Sequence, residues 1–151
     1  MILNISGYKV LIDDKDYDLV KDYKWYVYIN KSGYKRIIAK KKNKNISFAR
    51  TIMIPNLNEE VDHINHNTLD NRRCNLRICT HQENCYNLKT RKDNSLGVKG
   101  LWFNKKTNKY VAVIRTNGKK VFQKYFNNIS DAKREYDKKA KEIFKEFACL
   151  N

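Results

Sequence analysis

The sequence predicts a mixed α+β chain, on three observations. Residues 61–92 spell strand, polar loop, strand and helix in quick succession, too short a segment for two ordinary domains. Asn117-Gly118 separates two β-rich runs, and both of its residues tolerate the positive φ that a two-residue hairpin turn needs. An apolar stripe at three- and four-residue steps closes the chain, as a helix lying on a sheet requires. The expected organisation is a small α+β scaffold over residues 1–60, the strand–loop–strand–helix unit over 61–93, and a three-stranded antiparallel sheet packed on one helix over 94–151.

The elements follow in order. Residues 8–12 alternate into a short strand, and Asp14 is placed to cap a helix whose apolar positions are Tyr17, Val20 and Tyr23. Lys24–Asn30 and Tyr34–Lys40 are β-rich runs joined by the turn Lys31-Ser32-Gly33. Ile46–Ile54 is a mixed apolar segment ending at Pro55, and the stretch Lys40-Lys41-Lys42-Asn43-Lys44 gives the scaffold a basic outer face. Val61–Ile64 and Leu76–Cys79 are the two strands of the middle unit. Thr80 and Glu83 form a capping box opening a helix from His81 to about Arg91. Asn94-Ser95-Leu96-Gly97 reads as a linker. Val98–Asn104, Lys109–Thr116 and Lys119–Phe126 follow as strands. Ser130 or Asp131 then caps a helix with Ala132, Tyr136, Ala140, Ile143, Phe144 and Phe147 along one side.

Charge narrows the function. Thirty-two Lys and Arg against sixteen Asp and Glu give a net charge of +16, the footprint of a protein that meets nucleic acid. A ribosomal or membrane-surface protein carries similar charge. The excess is uneven, +5 over residues 1–60, +1 over 61–90 and +10 over 91–151. A near-neutral middle between basic flanks suits a cation site between phosphate-binding surfaces. No N-terminal apolar run resembles a signal peptide or membrane span. Cys74, Cys79, Cys85 and Cys149 form no CxxC pair, so a reduced, cytoplasmic protein of a phage or bacterial host is expected. Zinc on Cys74, Cys79, His81 and Cys85 would need a spacing unlike the common zinc patterns.

The chemistry concentrates in residues 61–87. Phosphodiester hydrolysis needs a cation on the phosphate, a base for the attacking water and stabilisation of the leaving oxygen. Asp62 and His63 are adjacent in a strand, so their side chains leave on opposite faces unless the strand end twists. Carboxylate on metal and imidazole on water would then share one site.

Asp62-His63, Leu69-Asp70-Asn71-Arg72-Arg73, Asn75-Leu76-Arg77 and Glu83-Asn84 together resemble the HNH endonucleases. The likeness is to the phage and intron homing branch, where Asn replaces the final His. The resemblance implies a ββα-metal nuclease motif with His63 as general base and Asn75 as the middle Asn that braces the loop and orients the His. Asp62 and Asn84 become ligands of a hard divalent cation, Mg²⁺ or alternatively Mn²⁺. Asn87, one turn beyond Asn84, can assist. Arg72, Arg73 and Arg77 are candidates for phosphate contacts, or else solvated arginines. His66 stands where such proteins commonly have Gly, and Ala49-Arg50 where they have His-Arg. His81 reads as a bystander.

Residues 97–147 resemble the ethylene-response-factor-type (Apetala-like) DNA-binding domain of plants. The likeness lies in Val98-Lys99-Gly100, Lys109-Tyr110-Val111-Ala112-Val113-Ile114-Arg115 and Ala132, Tyr136, Asp137 and Ala140. The resemblance implies a sheet face in the major groove of double-stranded DNA. Lys99, Trp102, Lys109, Arg115, Lys119 and Lys120 would then face DNA; alternatively Trp102, Tyr110 and Phe122 are core aromatics and only the Lys/Arg fringe touches phosphate. Two functions remain open: a metal-dependent endonuclease of homing type, or a non-catalytic DNA-binding regulator on a decayed nuclease scaffold. Whether it acts as monomer or dimer, nicking or cutting both strands, is not written in the sequence.

Overall fold

The computed structural model describes residues 1–42, 44–91 and 93–150. Asn43, within the expected basic run, and Lys92 lie outside the described residues. The chain is α+β as expected, and it divides into two compact units, Met1–Asn84 and Cys85 onward.

The first unit opens with a hairpin whose first strand was not anticipated: β1 (Ile2–Ile5) pairs antiparallel with β2 (Tyr8–Leu11). A 3₁₀ turn (Asp14–Asp16) leads into α1 (Tyr17–Val20), which buries Val20. Asp14 does not cap this helix; it accepts instead from the N-terminal ammonium at 2.5 Å. The next sheet has the order β3–β4–β5, formed by β3 (Tyr26–Ile29), β4 (Lys35–Lys41) and β5 (Lys44–Ser47). Its β3–β4 turn is closed by Asn30, whose Oδ1 accepts from the backbone N–H groups of Ser32 and Tyr34. The apolar run Ile46–Ile54 changes type midway, ending β5 at Ser47 and becoming α2 (Phe48–Met53). Ile37 on β4 and Phe48 and Ile52 on α2 form the core with Ile5, Val10 and Ile12. Each such side chain contributes about 1.5–3 kcal/mol by leaving water.

The ribbon β6 (Glu60–His63) and β7 (Leu76–Cys79) completes the strand–loop–strand motif, with Asp62 opposite Arg77 and His63 opposite Leu76. The α3 helix (His81–Asn87) follows, opened by the predicted capping box. Glu83 Oε2 accepts from the Thr80 N–H at 2.8 Å, and Thr80 Oγ1 from the Glu83 N–H at 3.2 Å. The helix stops about a turn short of Arg91. The Lys99 ammonium takes the carbonyls of Tyr86 and Leu88, both at 2.6 Å, satisfying acceptors that a longer helix would have used.

In the second unit, β8 (Leu101–Asn104), β9 (Lys109–Thr116) and β10 (Lys119–Phe126) form an antiparallel sheet with β9 central. Asn117 and Gly118 have φ of 50° and 74°, as a tight hairpin requires. The helix α4 (Ile129–Phe144) buries Ala132, Tyr136, Ala140 and Phe144 against the sheet. Its cap is Asn128 rather than Ser130 or Asp131, with Asn128 Oδ1 accepting from the Asp131 N–H at 2.8 Å. Gly100 has φ +68°, and a Cβ there would lie 2.0 Å from the Tyr136 ring, so a backbone approach holds the sheet to the helix.

Candidate active site

The site is assembled on the β6–loop–β7 ribbon and the first turn of α3, and the N-terminal scaffold sets its loop. At the last residue of β2, the Leu11 N–H donates to the Leu69 carbonyl and the Asn71 N–H to the Leu11 carbonyl, both at 2.8 Å. Asp13 Oδ2 accepts from the Arg73 N–H at 2.8 Å. The Arg73 guanidinium straddles the buried Asp16 carboxylate, with contacts of 2.8–3.0 Å, and reaches the Ile52 carbonyl. Residues from three earlier elements therefore fix the loop that follows His63.

Asn75 is the internal brace. It is buried, its Nδ2 donates to the Asp70 carbonyl at 2.7 Å, and its Oδ1 accepts from the Asn65 N–H at 2.9 Å. The side chain set against the His63 ring is Asn71, whose Oδ1 lies 3.1 Å from Nε2. Asn71 Nδ2 donates to the Thr68 carbonyl, which can only accept, so its oxygen must face His63. Nε2 consequently carries the hydrogen, and the basic lone pair belongs to Nδ1. Burial pushes the His63 pKa below its ordinary value, outweighing the opposing effects of Asn71, Asp62 and Asp70, and so favours the neutral ring. His66 takes φ +63°, a left-handed turn residue donating its N–H to the His63 carbonyl.

His63 and Asn84 line one cleft of about 840 Å³ together with Glu60, Asn71 and Thr68. Asp62 turns the other way. It is buried, and its Oδ2 accepts from both Nε and Nη2 of Arg77, at 2.9 and 2.6 Å. The strand alternation thus separates His63 from Asp62 at this point of the ribbon. Glu60, not singled out in the sequence, joins two helix residues: Oε2 accepts from Asn84 Nδ2, and Oε1 lies 2.7 Å from His81 Nδ1. The Asn84 amide, and then the His81 ring, hold the Glu60 carboxyl below the usual carboxylate range against its burial. Because a carboxylate only accepts, Asn84 must present its NH₂ there and turn its oxygen away from Glu60.

Asp62 and Asn84 offer oxygen donors of the kind Mg²⁺ and Mn²⁺ prefer. Among the described residues, no group of three or more His, Cys, Asp or Glu side chains is placed to hold a metal ion. Asp62 and Asn84 do not share the cleft, however: Asn84 lines it, while the Asp62 carboxylate is held by Arg77 on the other side of the ribbon, so joint ligation requires Asp62 to leave Arg77 and turn inward. Zinc on Cys79 fits poorly, since burial pushes that thiol up to about 11.

The arginines proposed for phosphate each reach a carboxylate within the chain: Arg72 the buried Asp70, Arg73 Asp16 and Arg77 Asp62. Lys99, expected to face DNA, spends its half-buried ammonium on the carbonyls of Tyr86 and Leu88, at and just past the end of α3. Trp102 is 48% exposed and lies on the sheet face away from α4, whereas Tyr110 and Phe122 pack against the core. Lys109, Arg115, Lys119 and Lys120 are exposed. Arg115 pairs with Lys120 across the strands, and the Lys120 ammonium donates to Gln123 Oε1, a neighbour the sequence gave no reason to name.

A two-stranded ribbon ending in a histidine, a braced Asn-rich loop and a short helix carrying Asn84 define an HNH-class nuclease frame. A family profile described as HNH endonuclease matches residues 53–86, spanning that frame. The chain belongs to the HNH endonuclease family. It is 35% identical over 136 residues to an uncharacterized HNH endonuclease of Acanthamoeba polyphaga mimivirus, covering 88% of this chain and 69% of that protein. Over 59 residues it is 37% identical to Protein 3.8 of Escherichia phage T7, covering 39% of this chain and 49% of that protein. No solved structure matches the chain. Among the described residues, no helix is long and apolar enough to cross a membrane.

Proposed function

We propose that the protein is a divalent-cation-dependent DNA endonuclease of homing type, and that its second unit is a DNA-binding domain of ethylene-response-factor type. The observation that carries the catalytic half is the partly buried His63, held through Nε2 by Asn71 and lining the same cleft as Asn84. In this reading His63 takes the proton from a water attacking the scissile phosphate, and the P–O bond to the leaving sugar oxygen breaks. Asn71 and Asn75 keep the ring and loop in place. Asn84, together with Asp62 once it leaves Arg77 and turns into the cleft, would hold Mg²⁺, with Mn²⁺ the alternative, and the cation would supply charge neutralisation at the phosphate and the leaving oxygen. The homing assignment is supported by the Asn84 form of the motif and is compatible with relatives from a virus and a phage.

For the second unit the support is an exposed sheet face carrying Trp102, Arg115 and Lys120, in the segment with the largest positive excess. A sheet presented this way can enter a major groove ~12 Å wide. Lys109 and Lys119 add positive charge to the same sheet.

Supercoiled plasmid tests the reading. With Mg²⁺ the full chain converts it to the nicked or linear form, and a chelator abolishes the conversion. Asp62→Ala and Asn84→Ala each abolish Mg²⁺-supported cleavage, and His81→Ala retains it. Tight DNA binding with no cleavage in Mg²⁺ or Mn²⁺ would instead mark a non-catalytic regulator.

A further inference from the structure

The outer face of the β3–β5 sheet makes the second wall of the His63 cleft. On β4, Ile37 and Ala39 are buried in the first unit, so Arg36, Ile38 and Lys40 alternate to the opposite face. The strand register brings Tyr28 opposite Arg36 and Asn45 opposite Lys40. Tyr28, Tyr34, Arg36, Lys40 and Asn45 all line the cleft. Tyr28 and Tyr34 are 50% and 47% exposed, far more than core aromatics. The Arg36 guanidinium sits over the Tyr34 ring at 5.5 Å.

The charge of this wall is uncompensated. Among the described residues, neither Arg36 nor Lys40 lies within ion-pair distance of a carboxylate, in contrast to Arg72, Arg73 and Arg77. The carboxylate among the described lining residues is Glu60, already engaged by Asn84 and His81.

We infer that this wall is a substrate-strand site, in which Arg36 and Lys40 bind phosphates next to the scissile one and Tyr28 and Tyr34 contact the adjoining sugars and bases. The occupant is a strand of DNA, because its phosphates and flat, stackable bases match alternating cations and exposed aromatic rings. The site gives residues 1–60 a share in substrate binding beyond bracing the loop. It deepens the nuclease reading and rests on it.

The test is covalent footprinting of the unaltered full chain, with chelator present so that DNA stays intact. Lysines are acetylated and tyrosines nitrated with and without a saturating short duplex, and modification is read by mass spectrometry. The site predicts that Lys40, Tyr28 and Tyr34 lose modification severalfold when DNA is bound. Protection of Lys119 and Lys120 with unchanged labelling at Lys40 and Tyr28 would overturn the site while leaving the nuclease reading intact. Protection at Lys40 and Tyr28 in a protein that never nicks plasmid would support the site and sink the catalytic reading. Protection nowhere would overturn the site, and plasmid nicking would decide the catalytic reading separately. The paired variant Arg36→Ala with Lys40→Ala supplies the kinetic counterpart. Its KM for plasmid nicking should rise roughly tenfold with kcat nearly unchanged, and its salt slope should fall by about two contacts. A fall in kcat at unchanged KM and salt slope would contradict binding at this wall.

Discussion

Two three-stranded antiparallel sheets in this chain solve the same packing problem and end with different surfaces. Each buries one face against a helix: β3–β5 against α2 through Ile37 and Phe48, β8–β10 against α4 through Ala112, Ile114 and Tyr136. Each leaves the other face basic and aromatic. The first open face is one wall of a cleft whose other wall carries His63. The second presents Trp102, Arg115 and Lys120 on an exposed surface. In the proposed reading, the cations beside His63 hold the reacting strand, while the open basic face of the second sheet supplies affinity and sequence choice. The difference also shows how little a count of arginines says. Those nearest the catalytic loop, Arg72, Arg73 and Arg77, reach buried carboxylates, whereas Arg36, far from the motif in sequence, faces the cleft.

The largest effect on stability is expected inside the first unit. Arg77→Ala leaves Asp62 buried with no guanidinium, and should cost about 3 kcal/mol in denaturant unfolding, with hydrogen-exchange protection lost in Met1–Asn84. A change near the ~0.5 kcal/mol of an ordinary surface substitution would show that the pair is not structural.

Gly100→Ala probes the second unit in the same way. The added methyl meets the buried Tyr136 ring at a backbone φ of +68°, so a loss of about 3 kcal/mol is expected. Exchange protection should then fall from Cys85 onward and persist in the β6–β7 ribbon. Simultaneous loss in both units would break the comparison, because the two cores would not be independent.

Arg115→Ala separates affinity from chemistry. If Arg115 reads a guanine edge, the variant should bind about 1–3 kcal/mol more weakly and relax preference at one base position, with kcat unchanged. Equal weakening on all sequences, with the salt slope reduced by about one contact, would make it a phosphate contact instead.

What the sequence made legible was local. The Thr80/Glu83 box, the Asn117-Gly118 turn and the α4 stripe each depend on residues within a few positions of one another. Nothing local signals that Arg73 will reach Asp16, 57 residues earlier, or that Lys99 will take the Tyr86 and Leu88 carbonyls where α3 ends. Ile46–Ile54 stayed ambiguous because a short apolar run suits strand or helix equally, and the change at Ser47 is made by core packing of Phe48 and Ile52. At the site, the residues that match the nuclease motif could be named, but the contact from Asn71 to His63 and the turn of Asp62 towards Arg77 depend on how the ribbon twists. Cross-strand geometry likewise decided which wall of the cleft carries Arg36 and Lys40.

The smallest effect concerns a departure from the family pattern. His66 holds a left-handed φ that costs a side-chain residue about 1–2 kcal/mol, part of which glycine returns as unfolded-state entropy. His66→Gly should raise stability by up to about 1 kcal/mol and leave nicking unchanged. Clear destabilisation would mean that the imidazole contributes contacts outweighing the strain.

The central claim is that His63 performs the chemistry in a cleft whose binding surfaces work without it. Plasmid nicking in Mg²⁺ by His63→Ala, measured beside DNA affinity in chelator, tests this most directly. The account predicts a fall in nicking of at least ~10²-fold with affinity held within a few-fold. Nicking within a few-fold of the unaltered protein would contradict it.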